Sequence, residues 1–299
     1  MTLDWLGCAT FRLAIDGLVV YLDTYIDRPS GAPDVGVTAD FISEADYALI
    51  GHSHWDHLAG ADVIALNTGA TVICSNESAH VLRGRGVPED QLWTAQGGER
   101  YRLDEHVTVR ILPSLHSCIW SRAARPGTVV TGDLGITENE RAARLAERRG
   151  ARRDDGSETV SELQALIDGG AHSDNIGGAL DYLIETPHGN VLFQDSMGFF
   201  TGLYAHTRVD VALLAAAGRG HIDGEPIQGA VEDFIARECE LLRPRRVILS
   251  HHDNFTGAPD APDVTDVTDV TPVHEELART QPNIEILTME LGDSITLFE

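Results

Sequence analysis

The sequence predicts a layered α/β architecture. Short apolar, strand-like runs alternate with segments of helical spacing along most of the chain. At 299 residues and 42% hydrophobic, the chain can bury a large core as one domain. Polar residues of metal-binding type stand repeatedly just beyond apolar runs, where folds of this class place their sites.

Taken in order, Phe11 to Ile15 and Leu18 to Leu22 read as a hairpin around Asp16-Gly17, ending at Asp23 and a Pro/Gly-rich loop from Arg28 to Gly36. Ala45 to Ile50 reads as a buried strand and Leu58 to Leu66 as a helix. Thr71 to Cys74 is strand-like, Glu77 to Arg83 helical, and Tyr101 to Leu112 holds two strands. The segment at about 121–171 breaks this alternation. Its stretches Glu138 to Arg153 and Glu158 to Ile167 read as exposed helices of an insertion or lid. A second hairpin follows at Ala179 to Glu185 and Val191 to Gln194, then a strand at Val209 to Ala217. Helical spacing at Ile227 to Leu242 ends at Pro244, before a strand at Arg246 to Ser250. The repeated Val-Thr-Asp of the 257–272 stretch reads as a solvated acidic loop, too short in period to build a core.

The densest chemistry is Gly51-His52-Ser53-His54-Trp55-Asp56-His57, directly behind a predicted strand. On an extended turn His52 and His54 project to one side and can meet one cation, while Asp56 and His57 face a neighbouring one. Imidazole and carboxylate without thiolate favour Zn2+ and tolerate Mn or Fe.

Other chemistries are narrowed by what is missing. All 22 basic residues are arginine, so lysine-dependent phosphate loops, Schiff bases and Ser-x-x-Lys nucleophiles are excluded. The net charge of -25 disfavours a nucleic-acid substrate. Cys8, Cys74, Cys118 and Cys239 are isolated from one another, which suits a reducing cytoplasm. No leader-like start and no apolar run of about 18 residues occurs, so neither secretion nor a membrane is expected. Exposed faces leave room for a homo-oligomer.

A dinuclear site needs ligands from more than one loop. His116 follows the Val107 to Leu112 run, Asp195 follows Val191 to Gln194, and His251 follows Val247 to Ser250. A carboxylate can bind a different cation through each oxygen, so Asp195 suits a bridge. His116 would complete a three-histidine site with His52 and His54, and His251 would join Asp56 and His57.

His52-x-His54-x-Asp56-His57 followed by a later His, Asp and His resembles the metallo-β-lactamase-fold hydrolases. Trp5-Leu6-Gly7-Cys8-Ala9-Thr10-Phe11, Pro113 to Ser117 and His251 to Phe255 are similar to the branch containing ascorbate-6-phosphate lactonase. The resemblance implies a four-layer αββα sandwich with two metals at one edge, outside the insertion and the acidic tail. It assigns His52, His54 and His116 to one metal, Asp56, His57 and His251 to the other, and Asp195 to the bridge. In two places the pattern departs: Gln194 stands where many members have Gly, and the pair His251-His252 offers two last ligands, of which His251 fits the distance to Phe255 better.

Two cations roughly 3.5 to 4 Å apart hold a bridging water and lower its pKa from about 15.7 towards 7. With Asp56 orienting that water and taking its proton, hydrolysis of a small-molecule ester, lactone, amide, thioester or phosphoester is expected. Arg219, His221, His172 and His206 are candidates to bind that substrate. A nuclease of the same fold and a closed, non-catalytic metal scaffold or sensor are the rival readings.

Overall fold

The computed structural model describes residues 1–298 except 122–124, 133–136, 154–157 and 259–266. Half of the expected acidic loop, and parts of the expected insertion, lie outside the described residues.

Two seven-stranded sheets face each other. The first runs in the order Ser294–Thr296, Thr2–Trp5, Phe11–Ile15, Leu18–Leu22, Tyr47–Leu49, Thr71–Ser75, Leu92–Ala95. Its first four strands pair antiparallel; the remaining pairs are parallel. The second runs Glu285–Ile286, Arg246–Ser250, Val211–Ala215, Asn190–Gln194, Leu180–Glu185, Thr108–Pro113, Arg100–Arg102. It too is parallel through one half and antiparallel through the other. Parallel pairing forces each connection to cross a sheet face, which is why helices cover the outer faces.

The period of two along each strand sorts side chains between layers. Leu13, Val20 and Leu22 meet Ile111, Phe193, Leu213 and Ile248 between the sheets. Val19, Tyr21, Ala48 and Val72 face the other way, under Ile64, Ala65, Ala79 and Leu82. On the far side, Leu192, Ala212 and Leu214 lie under Phe234, Ile235, Cys239, Val273 and Leu277. The result is the αββα sandwich.

The expected helix from Leu58 is instead two, Trp55–Leu58 and Ala61–Thr68. Gly60 breaks it: its φ is 90°, and a Cβ there would stand 2.6 Å from the Thr24 carbonyl oxygen. The Ile227 to Leu242 helix begins only at Val231, because Ala230 is extended and the Asp233 carboxylate accepts its amide. In the 121–171 segment the helices are Glu138–Arg153 and Glu158–Gly169. Arg144 Nη1 donates to the Trp120 carbonyl, and Glu162 accepts both the Ser30 amide and hydroxyl. Among the described residues no helix is long and apolar enough to cross a membrane.

Candidate metal centre

Five strands of the two sheets end along one rim. Leu18–Leu22 delivers Asp23, Tyr47–Leu49 the histidine loop, Thr108–Pro113 His116, Asn190–Gln194 Asp195, and Arg246–Ser250 His251. Gly51 opens the histidine loop because nothing larger fits: a Cβ would lie 2.0 Å from Asp195 Oδ2.

His52, His54 and His116 form a nearly equilateral group, with ring centroids 4.7, 4.6 and 4.7 Å apart. His52 Nε2 and His54 Nδ1 are 3.1 Å apart. Two nitrogens held by one tetrahedral zinc at about 2.0–2.1 Å each stand roughly 3.3–3.4 Å apart, close to that spacing.

Asp56, His57 and His251 form a second group. Asp56 Oδ2 lies 3.6 Å from His57 Nε2 and 3.5 Å from His251 Nε2. The Cys8 thiol, Asp56 and His251 also bring ligand atoms within 4.8 Å of one another. Between the two groups sits Asp195, its Oδ2 2.6 Å from His52 Nδ1 and 3.3 Å from His57 Nδ1.

The tautomers are set from outside. In three of the five histidines Nδ1 faces an oxygen acceptor: Asp195 for His52, Asp23 at 2.7 Å for His57, and the Ser117 carbonyl at 2.7 Å for His116. In these three Nε2 is thereby left as a lone pair, the arrangement in which supporting groups hold metal-binding histidines. Buried lone pairs and carboxylate oxygens converging in this way repel one another unless a cation lies among them. Asp195 Oδ1 and His251 Nδ1 are also buried with no partner. The donor set therefore fits divalent metal.

The charges agree. Burial pushes His52 and His57 below the usual imidazole range, and His116 to about 3, so all three stay neutral as ligands must. Burial alone would raise Asp56, but His57, His251 and His54 outweigh it and hold the carboxyl well below its usual range. Burial raises Asp195, against the pull of His57, His116 and His251.

All seven residues expected as ligands, His52, His54, Asp56, His57, His116, Asp195 and His251, fall in this one cluster. His252 does not: its ring packs on Trp5 at 5.0 Å. The expected substrate residues separate. His221 stands beside the cluster, with Nδ1 3.3 Å from the His116 carbonyl oxygen, its ring edge-on to Trp120, and Nε2 buried without a partner. His172 adjoins Ser173, whose amide donates to the Ser53 carbonyl at 2.8 Å, and its Nδ1 is likewise unpartnered. His206 is exposed.

Arg219 is put to a different use from anion binding. It is 1% exposed, and its guanidinium is spent on the Ile227 and Gly132 carbonyls and the Ser121 hydroxyl. A guanidinium so occupied ties loops together and has no fork left for a substrate anion.

Asp23 is the supporting residue that sequence reasoning passed over. Its Oδ2 accepts from His57 and its Oδ1 from the Gly51 amide at 2.9 Å. Its position just past an apolar strand is the same signal that marks Asp195.

A family model described as a beta-lactamase superfamily domain matches residues 20–252. A UPF0173 metal-dependent hydrolase of Methanopyrus kandleri is 32% identical over 136 residues, 46% of this chain and 55% of that protein. The chain thus matches little more than half the length of that relative. Among solved structures, the metallo hydrolase Igni18 of Ignicoccus hospitalis superposes with a TM-score of 0.61 at 17% identity, covering 98% of this chain and 97% of that one. The diiron β-hydroxylase CmlA of Streptomyces venezuelae superposes with a TM-score of 0.60 at 15% identity, covering 99% of this chain and 54% of that one. At such identities the likeness concerns the fold, which accommodates both chemistries.

Proposed function

The chain belongs to the β-lactamase superfamily, and from that premise we propose that it is a dinuclear metal-dependent hydrolase of a small-molecule ester, lactone or related acyl or phosphoester bond. The observation that carries this reading is the meeting of His52, His54 and His116 with Asp56, His57 and His251 on either side of Asp195. The first three would hold one cation and the second three the other. Asp195, with one oxygen free, would bind both.

When bound, the cations, Zn2+ by donor type with Mn2+ or Fe as alternatives, supply Lewis acidity towards the scissile group and acidify a water. The rest belongs to the chain. Asp56 is kept ionised by its imidazole neighbours and so remains an acceptor that can orient the attacking water and take its proton. Asp23 and the Ser117 carbonyl hold His57 and His116 in one tautomer, so neither reorganises during reaction. Trp120 Nε1 and His221 Nε2, buried and unpartnered beside His116, offer polar contacts to the oxygen atoms of a substrate. A net charge of -25 turns polyanions away, so the substrate is a small molecule rather than a nucleic acid.

Elemental analysis followed by a panel of esters, lactones and phosphoesters, with and without chelator, tests this. Two equivalents of metal and chelator-sensitive turnover are expected. Metal-replete protein that hydrolyses nothing while chelation melts the fold would establish a structural scaffold instead.

A further inference from the structure

We propose that the thiol of Cys8 is a further ligand of the second cation, so that this site presents sulfur, carboxylate and imidazole from Cys8, Asp56 and His251. The proposal rests on the two-metal reading above and adds a donor from the N-terminal turn, far in sequence from the other ligands.

The geometry singles out this cysteine among four. Cys74 and Cys239 lie in the two outer apolar layers, and the Cys118 thiol contacts the Gly220 carbonyl. Only Cys8, among the described residues, brings a sulfur within 4.8 Å of both an Asp56 oxygen and a His251 nitrogen. It does so because two left-handed turns interlock. Cys8 has φ 49° and His251 φ 60°, a conformation uncommon for residues with side chains, and the His251 amide donates to the Cys8 carbonyl at 2.8 Å.

That turn is fixed on every side. The Cys8 amide donates to Asp253 Oδ1, its carbonyl also accepts from Trp5 Nε1, and Asp253 Oδ2 is held by the buried Arg28 at 2.7 Å. Strain in two turns, braced by a buried ion pair, aims the sulfur and the imidazole at one place. Asp195 Oδ1, on a side chain 1% exposed that sits between the two groups of ligands, is buried without a partner.

The alternative use of the thiol is a weak hydrogen bond to the Asp56 carbonyl oxygen, 3.5 Å away. Binding would replace it: the thiol loses its proton to solvent as the sulfur–metal bond forms. A thiolate makes the two sites unlike. The three-histidine site suits several divalent ions, whereas sulfur biases the second towards Zn2+ or Co2+ over Mn2+.

The test is a titration of the metal-free full chain with Co2+, followed by absorbance. Two equivalents bind, and one brings a sulfur-to-cobalt charge-transfer band in the near ultraviolet. Cys118→Ser keeps the band. Cys8→Ser loses it, retains one equivalent, and binds the other at least about tenfold more weakly. Two equivalents bound by the unaltered protein with no such band would overturn the Cys8 assignment alone and leave the dinuclear site standing, and this reading requires no variant to fold. A band that survives in Cys8→Ser would overturn it as well. Failure of the unaltered protein to bind Co2+ at all would overturn both.

Discussion

Two buried clusters of ionisable groups meet at adjacent residues, Gln194 and Asp195, and they differ in every chemical respect that matters. Strand alternation sends Asp195 inward, against Gly51 and the histidines, and Gln194 outward, towards the helix Val231–Leu242. There Gln194 Nε2 donates to Glu238 Oε1 at 2.6 Å and to the Tyr204 hydroxyl at 2.8 Å, and Tyr204 donates to Asp181 Oδ2 at 2.8 Å. Asp181 and Glu238 are fully buried, more so than Asp56, whose side chain is 16% exposed. Burial drives both well above the usual carboxyl range because their neighbours are an amide and a phenol, whereas imidazoles hold Asp56 well below it. Acid density and burial therefore do not make a metal site. Imidazoles whose protons are tied off elsewhere, leaving lone pairs aimed at one point, do.

The contrast breaks most visibly at Asp195. Asp195→Ala should remove at least one of two metal equivalents and lower turnover by more than the roughly 10- to 100-fold that supporting residues cost. Elemental analysis with initial rates checks this, and retention of both metals with full activity would deny Asp195 its bridging place. A smaller effect is expected at Asp23, which touches metal only through His57. Both of its oxygens accept hydrogen bonds, from His57 and from the Gly51 amide, and an asparagine presents only one acceptor. Asp23→Asn should weaken metal binding or activity by about 10- to 100-fold. An unchanged metal titration would mean that His57 keeps its tautomer without help.

How much of this was legible depended on sequence distance. The histidine loop is contiguous, so its chemistry could be read directly, and His116, Asp195 and His251 were marked by strands that end just before them. Asp23 carries that same mark yet has no polar company in the chain, so its partnership with His57 appears only when two parallel strands lie side by side. Arg219, flanked by glycines, looked accessible; its burial is decided by Ser121, Gly132 and Ile227, which are distant or irregular segments. Gln194 stood out as a departure from the family pattern beside Asp195, with no disturbance of the strand implied. The period of two accounts for it: its amide serves the other layer. The break at Gly60 depended on Thr24, again on a neighbouring strand end, and local helical spacing runs through it without a sign.

The smallest effect sharpens the comparison from the other side. Glu238→Gln keeps the volume and an acceptor for Gln194 but cannot ionise, and it lies on the face of the strand away from the histidines, so metal content should not change. Stability should change with pH. The folded-state value of Glu238 is raised by burial, so its contribution is fully present below the ordinary carboxylate range and is lost as pH rises through that raised value. The variant loses nothing in that interval. Its melting temperature relative to the unaltered protein should therefore be constant in acid and climb in the variant's favour as pH increases. The gain should reach a few degrees, since about 1 kcal/mol moves a domain of roughly this size by 2–4 °C. Parallel melting curves across the whole pH range would show that Glu238 ionises freely inside the fold. The second cluster would then need a cation of its own.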